Sequence, residues 1–117
     1  MKKTSSMVYK RSVESKELFL CTINNRFIYQ EAIQPTCRAL AKKHKAGVFD
    51  LDKATECFYK VASISARDYW IKFCSSTPEW YTIFPTQCRY TVAVDLLNHY
   101  TDYIIELSKE MDKETAK

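Results

Sequence analysis

Hydrophobic residues recur at spacings of three and four in three long stretches of the chain, which predicts three amphipathic helices. The first is expected over residues 34–46, because Pro35 fits only a first helical turn. Gly47, the only glycine of the sequence, follows a run of basic residues and can adopt the left-handed conformation that ends a helix. The pattern therefore predicts both ends of this helix.

The other two helices are longer. One is expected over residues 51–74, with Asp50 as its N-cap and a broad apolar stripe along one side. The last follows Pro85 and is expected over residues 86–109. The sequence predicts a mainly α fold, a compact bundle of three principal helices.

Residues 18–29 are ambiguous. Leu-Phe-Leu-Cys-Thr-Ile is typical of a strand, and Asn24-Asn25 can form a turn before a second strand. A single strand followed by a helix fits the same residues. We expect a short N-terminal strand or hairpin here.

The length of 117 residues suits one domain, and an apolar content of 46% excludes a chain that is disordered throughout. The net charge of +4 lies entirely within residues 1–16, since residues 17–117 hold equal numbers of basic and acidic side chains. We expect a flexible basic tail at 1–16, a single helical domain at 17–111 and a frayed C-terminus at 112–117.

The sequence shows neither a signal peptide nor an apolar stretch of the length that crosses a membrane. The five cysteines are odd in number and widely spaced, without a Cys-x-x-Cys pair, so neither a disulfide framework nor a zinc site is indicated. We expect a soluble cytoplasmic protein with reduced thiols and no membrane partner.

The run from Leu40 to Ala54, with its Lys-rich helix end and Gly-Val-aromatic-Asp connection, resembles a set of small phage and plasmid proteins of unknown function. Phe84 and residues 89–94 are similar to the final helix of the same group. The resemblance covers residues 17–105 and implies an accessory protein of a mobile element, acting in the cytoplasm of the host cell. It implies no catalytic residue.

No motif indicates an enzyme. A single glycine cannot build a phosphate-binding loop, and neither a nucleophile elbow nor a zinc-protease pair occurs. We expect no catalytic residue, no metal site and no cofactor.

Aromatic side chains are concentrated around the connection between the second and third predicted helices. Trp80 and Tyr81, on a short turn of this connection, are the candidate partner-binding residues, because aromatics dominate binding hot spots. The alternative is that this cluster closes the end of the core.

Four basic residues of the first predicted helix form a second candidate surface, for nucleic acid: Arg38, Lys42, Lys43 and Lys45. Positions 38, 42 and 45 share one helix face, and with the basic tail they could contact phosphates without sequence specificity. Ordinary solvated lysines explain the same pattern. No recognition motif for nucleic acid accompanies them.

The sequence thus favours a non-enzymatic protein-interaction factor of a phage or mobile element, which modulates or inhibits a host protein, for example one of a defence system. The partner would be a host or phage protein. The second hypothesis is a nucleic-acid-associated accessory protein that uses the basic tail and the helix lysines. The sequence leaves the oligomeric state open.

Overall fold

A computed structural model of the protein describes residues 13–73 and 84–116, and these are almost entirely helical. We number the helices in chain order: α1 is Val13–Ile23, α3 is Leu51–Phe73 and α4 is Thr86–Ala116. Helix α2 is continuous and consists of three segments. They are a single α-turn, Arg26–Ile28, a π-helical turn, Tyr29–Ile33, and the α-helical segment Gln34–Lys45. The predicted mainly α fold is confirmed.

The predicted strand or hairpin over residues 18–29 is wrong. These residues belong to α1 and to the start of α2, and the described parts of the chain contain no strand. Ser15, Leu18 and Thr22 are buried at helical spacing, against α3 and α4. Burial of this helical face, which depends on distant helices, outweighs the local strand preference of the apolar run.

Asn25 begins α2 instead of turning a hairpin. Its backbone is extended, with φ of −97°, and its side-chain Oδ1 accepts the Ile28 N–H at 3.0 Å. This is the geometry of a helix N-cap, which supplies an acceptor to a donor that the first turn leaves unsatisfied.

Pro35 lies within α2 and does not start it. In a regular α-helix its ring would press on the carbonyl of Glu31, and it has no N–H to donate there. The π-helical turn Tyr29–Ile33 comes directly before it, and the Gln34 N–H donates to the Tyr29 carbonyl five residues back. This wider turn lets the backbone stay helical upstream of the proline.

The predicted connection from α2 to α3 is confirmed at both ends. Gly47 has φ of +77°, and the N–H groups of Gly47 and Val48 donate to the carbonyls of His44 and Lys43. This is the Schellman arrangement that ends a helix in a left-handed residue. Asp50 Oδ1 then accepts the N–H of Asp52 at 2.8 Å and caps α3.

Helix α4 packs against the other three helices and runs through the centre of the core. The large fully buried side chains come from all of the helices and from the residue that leads into α4: Leu18, Ile33, Leu40, Phe58, Phe84 and Leu96. On α3 the small residues Ala62 and Ala66 are fully buried, so neighbouring backbones can approach closely. Among the described helices, none has both the length and the apolar content to cross a bilayer.

Candidate functional site

The candidate partner-binding residues Trp80 and Tyr81 lie outside the described residues. Helix α3 ends at Phe73, and Phe84 is buried with its ring edge-on to Tyr69 at 5.2 Å. Both ends of the connecting segment therefore lie at the C-terminal end of α3.

The start of α4 is fixed to α3 by a buried arginine. The Arg89 Nε donates to the Phe84 carbonyl at 2.9 Å, and a terminal nitrogen of its guanidinium donates to Ser63 Oγ at 3.2 Å. The same guanidinium lies over the ring of Tyr59, 5.5 Å from its centre. These contacts tie Phe84, the residue that leads into α4, to α3.

The four basic residues of the candidate nucleic-acid surface are all exposed on α2: Arg38, Lys42, Lys43 and Lys45. His44 is different: its Nδ1 lies 3.2 Å from Ser108 Oγ, and its ring is edge-on to Phe49. That contact ties the end of α2 to α4. The lysines also lie where the helix dipole favours positive charge, so their positions have a structural explanation.

Tyrosine and cysteine side chains pack together between α2 and α4, in or against the hydrophobic core. A hydrogen bond with Tyr103, reinforced by burial, raises the pKa of Tyr29 to about 12. Burial raises the pKa of the Cys37 thiol to about 12 and also raises the pKa of Tyr100. A thiol kept neutral in this way is a poor nucleophile.

A groove between α1 and α4, of about 470 Å³, contains Phe19 and Asn98. The Phe19 ring already packs edge-on against His99 at 5.7 Å, and His99 packs against Tyr100. These rings are engaged with one another. No cluster of three or more potential metal ligands occurs in the part of the chain that the structure describes.

A second cavity, of about 430 Å³, lies between α3 and the turn that joins α1 to α2. We call it the α1–α3 pocket. Its lining residues are Cys21, Asn24, Asn25, Arg26, Phe27, Ser65, Asp68 and Tyr69. Its volume falls in the range of cavities that accept a small molecule or a large side chain.

Two hydrogen bonds between distant parts of the chain involve residues that line this pocket. The Asn25 Nδ2 donates to Asp68 Oδ2 at 3.4 Å, which ties the turn to α3. The Tyr69 hydroxyl donates to Glu17 Oε1 at 3.3 Å, which ties α1 to the next residue of α3. The pocket residues Asn25, Asp68 and Tyr69 are therefore tied to the opposite side of the pocket.

Ser65 lines the pocket, and its hydroxyl oxygen is buried. The residue is only 5% exposed, and its Oγ has no hydrogen-bond partner among the described residues. Four helical threonines of this protein bond their hydroxyls to the carbonyl four residues back: Thr22, Thr55, Thr91 and Thr101. Ser65 makes no such bond, and a buried hydroxyl left without a partner costs about 1–3 kcal/mol.

Large exposed apolar side chains lie in and beside the pocket. Phe27 lines it and is 69% exposed, and on the neighbouring face of α3 Ile71 is 60% and Ile64 is 49% exposed. Ile64 and Ile71 lie one helical turn before and after Asp68, so they flank its carboxylate on one face. We call Phe27, Ile64 and Ile71 the apolar rim.

This site was not predicted from the sequence, where the Asn24-Asn25 pair is typical of a hairpin turn. One local signal was present: Ile64 and Ile71 interrupt an otherwise charged face of α3, formed by Lys53, Glu56, Lys60 and Arg67.

No family model, curated protein or solved structure matches this chain at a significant level.

Proposed function

We propose that this protein is a non-enzymatic interaction factor that docks a partner protein at the α1–α3 pocket and its apolar rim. The observation that carries the proposal is that an exposed aromatic side chain, Phe27, lines a pocket beside two exposed isoleucines of α3, Ile64 and Ile71. Exposed apolar groups around a polar cavity are typical of a binding hot spot.

The energetics favour a binding site over a purely structural cavity. Covering Phe27, Ile64 and Ile71 removes apolar surface from water, at about 25 cal/mol per Å². That gain is realised only when a partner covers these side chains.

Trp80 and Tyr81 are part of the same proposal. The segment that holds them leaves α3 at Phe73 and returns at Phe84, beside the pocket residue Tyr69. We propose that these two aromatics extend the docking surface beyond the rim. Replacing both with alanine is expected to weaken the complex without lowering the melting temperature.

The partner that we propose is a host or phage protein in the cytoplasm of the host cell, and a host defence protein is one example. The support for this is the resemblance of residues 40–54 to small phage and plasmid proteins. The partner would be modulated or inhibited by occupation of its surface, because the proposed role involves no chemical step.

The alternative proposal is a nucleic-acid-associated accessory protein. Its support is that Arg38, Lys42, Lys43 and Lys45 are all exposed, three of them on one face of α2. Such a surface would contact phosphates and would lose affinity steeply with added salt.

Site-specific photo-crosslinking tests the main proposal. Benzoylphenylalanine is placed at position 27, on the rim, or at position 51, where Leu51 is 64% exposed. Leu51 lies about 25 Å along α3 from Asp68, so it is a matched control of similar exposure. We expect one dominant protein adduct in host cells from position 27 and none from position 51. Equal labelling from both positions, or none from position 27, contradicts docking at this pocket.

A further inference from the structure

We infer that the end of the bundle formed by the α2–α3 connection binds the surface of a bilayer that carries anionic phospholipids. We call this end the α2–α3 corner. It consists of two exposed apolar side chains and the exposed lysines around them: Val48, Leu51, Lys42, Lys43, Lys45 and Lys53. Leu51 lies about 25 Å along α3 from Asp68, so the corner is separate from the α1–α3 pocket and does not depend on docking there.

The fold leaves both apolar side chains of the corner in water. Val48 follows the left-handed Gly47, where an apolar side chain often packs onto the preceding helical turn, yet Val48 is 62% exposed. Its N–H donates to the Lys43 carbonyl at 2.9 Å, which places it against a turn rich in lysine. Leu51 is the first residue of α3 and is 64% exposed, whereas Phe49, between the two, packs against the core. Transfer of Val48 and Leu51 into an apolar phase is therefore favourable.

The positive charge of the helical domain is concentrated at the same place. Residues 38–53 hold five basic and two acidic side chains, whereas the rest of residues 17–117 holds eight basic and eleven acidic ones. An anionic bilayer attracts such a basic segment, and each lysine or arginine near its surface adds to the attraction. Charge complementarity thus directs this end of the molecule towards an anionic surface.

The acidic residues of the corner have a role in starting α3. Asp50 Oδ1 accepts the N–H groups of Asp52 and Lys53, at 2.8 and 3.3 Å, and so caps the helix. Asp52 lies in the first turn, where the helix dipole favours a carboxylate. Lys53 lies in the same turn, where the dipole disfavours a positive charge. Its exposed ammonium therefore adds to the charge of the corner without a stabilising role at the helix end.

The nearest exposed carboxylates of α4 point away from the corner. Ser108 Oγ lies 3.2 Å from His44 Nδ1, so this side of α4 faces the end of α2. Glu106 and Glu110 are two residues before and after Ser108, which puts them on the opposite side of α4. They lie where a bilayer that contacts the corner would not meet them.

The apolar pair distinguishes a bilayer from a nucleic acid. Both ligands present phosphates to lysines, but only a bilayer offers an apolar phase beneath them, at the boundary of headgroups and acyl chains. Val48 and Leu51 are three residues apart, so at most about 11 Å separates their Cα atoms and both can enter one interface. Such binding requires no membrane-crossing helix. No membrane partner is expected from the sequence, because the exposure of this pair becomes visible only in the fold.

Sedimentation of the full chain with sucrose-loaded vesicles tests the inference. One set of vesicles contains phosphatidylcholine with about 40% phosphatidylglycerol, and the other contains phosphatidylcholine alone. At about 0.1 M salt we expect a partition coefficient at least tenfold higher on the anionic vesicles. Equal binding to both kinds of vesicle, or binding to neither, overturns the inference.

A pair of uncharged variants tests the apolar contact. Val48→Asn with Leu51→Gln is expected to lower the partition coefficient on anionic vesicles about tenfold. The control is Ile64→Gln with Ile71→Gln, at side chains of α3 that are 49% and 60% exposed, and it should change the coefficient by less than about twofold. Melting temperatures by circular dichroism check that both variants fold. Equal partition of the two variants shows adsorption by charge alone, for example through the basic tail, and overturns the inference.

Two triple variants, each with three positive charges removed, test the electrostatic contact. The corner variant has glutamine at three positions: Lys42, Lys43 and Lys45. The control has glutamine at three exposed basic positions of α3 and α4: Lys60, Arg67 and Lys109. We expect about a tenfold loss of partition for the corner variant and no more than about a twofold loss for the control. Equal losses overturn the assignment to the corner. Binding to duplex DNA without binding to either kind of vesicle overturns it in favour of the nucleic-acid alternative.

Discussion

Asn25 and Asp68 are 43 residues apart in the chain, and the amide of one donates a hydrogen bond to the carboxylate of the other. The same Asn25 caps α2 through its Oδ1. One side chain thus starts a helix and fixes that helix start to α3. The wall of the α1–α3 pocket depends on it.

Loss of this side chain should destabilise the fold. Asn25→Ala removes both hydrogen bonds, and we expect the free energy of unfolding to fall by about 1–2 kcal/mol. Asn24→Ala, at the exposed neighbour, should change it by less than about 0.5 kcal/mol. Urea unfolding of both variants measures this. Equal effects would show that Asn25 contributes nothing beyond an ordinary surface position.

Replacing Gly47 with another residue should introduce backbone strain. With φ of +77° and no atom within 4 Å of an added Cβ, a side chain there meets no steric neighbour. Gly47→Val is expected to lower the free energy of unfolding by about 1–2 kcal/mol or more, because a β-branched residue is strained at positive φ. Gly47→Asn should be milder, since asparagine tolerates this region. A neutral valine variant would show that the helix end can form without a left-handed residue.

Stability should fall in alkaline solution. The pKa of Tyr29 is raised to about 12 by its hydrogen bond with Tyr103 and by burial, and the pKa of Cys37 is raised to about 12 by burial. The unfolded chain releases these protons near pH 10 and pH 9, so the folded state is the one that retains them. This contribution is complete below pH 9 and is lost as the pH rises towards 12.

Urea unfolding between neutral pH and about pH 11 measures this fall in the free energy of unfolding. Tyr29→Phe should make the fall shallower, because a titrating group is removed. Tyr90→Phe, at an exposed tyrosine of α4, should leave the pH dependence as in the unmodified protein. A curve that Tyr29→Phe does not alter would contradict this role of the Tyr29–Tyr103 contact.

The basic surface should matter little to protein docking. Replacing Lys42, Lys43 and Lys45 with glutamine is expected to change the Kd of the partner complex by no more than about twofold, mainly through the association rate. A control of equal charge change is Lys16→Gln with Lys53→Gln and Lys109→Gln, all exposed. Fluorescence anisotropy with duplex DNA is measured in parallel. A loss of DNA affinity confined to the first triple variant, with a shallower salt dependence, would favour the nucleic-acid alternative.

The sequence predicted those features of the fold that depend on residues close together in the chain. The end of α2 and the start of α3 follow from Gly47 and Asp50, whose geometry is set by their immediate neighbours. The start of α4 after Pro85 follows for the same reason. The start of α2 does not, because the helix begins at Arg26 and not at the predicted first turn around Pro35. The hydrophobic periodicity also predicted which faces of these helices are buried.

Helix α1 and the pocket could not be predicted in this way. Leu18 to Ile23 is a short apolar run, and the helical burial of Leu18 and Thr22 depends on α3 and α4, which are distant in sequence. The pocket likewise depends on the contact of Asn25 with Asp68, which are 43 residues apart in the chain. Only the two exposed isoleucines of α3, Ile64 and Ile71, marked the site in the sequence.

The affinity of the partner captured from position 27 tests the docking site most directly. Titration calorimetry compares Phe27→Ala with Ile71→Ala against a control pair of similar exposure, Val48→Ala with Leu51→Ala. With melting temperatures unchanged, we expect the rim pair to weaken binding by about 2 kcal/mol or more, roughly 30-fold, and the control pair to have no measurable effect. Equal Kd values for the two double variants would contradict docking at the α1–α3 pocket.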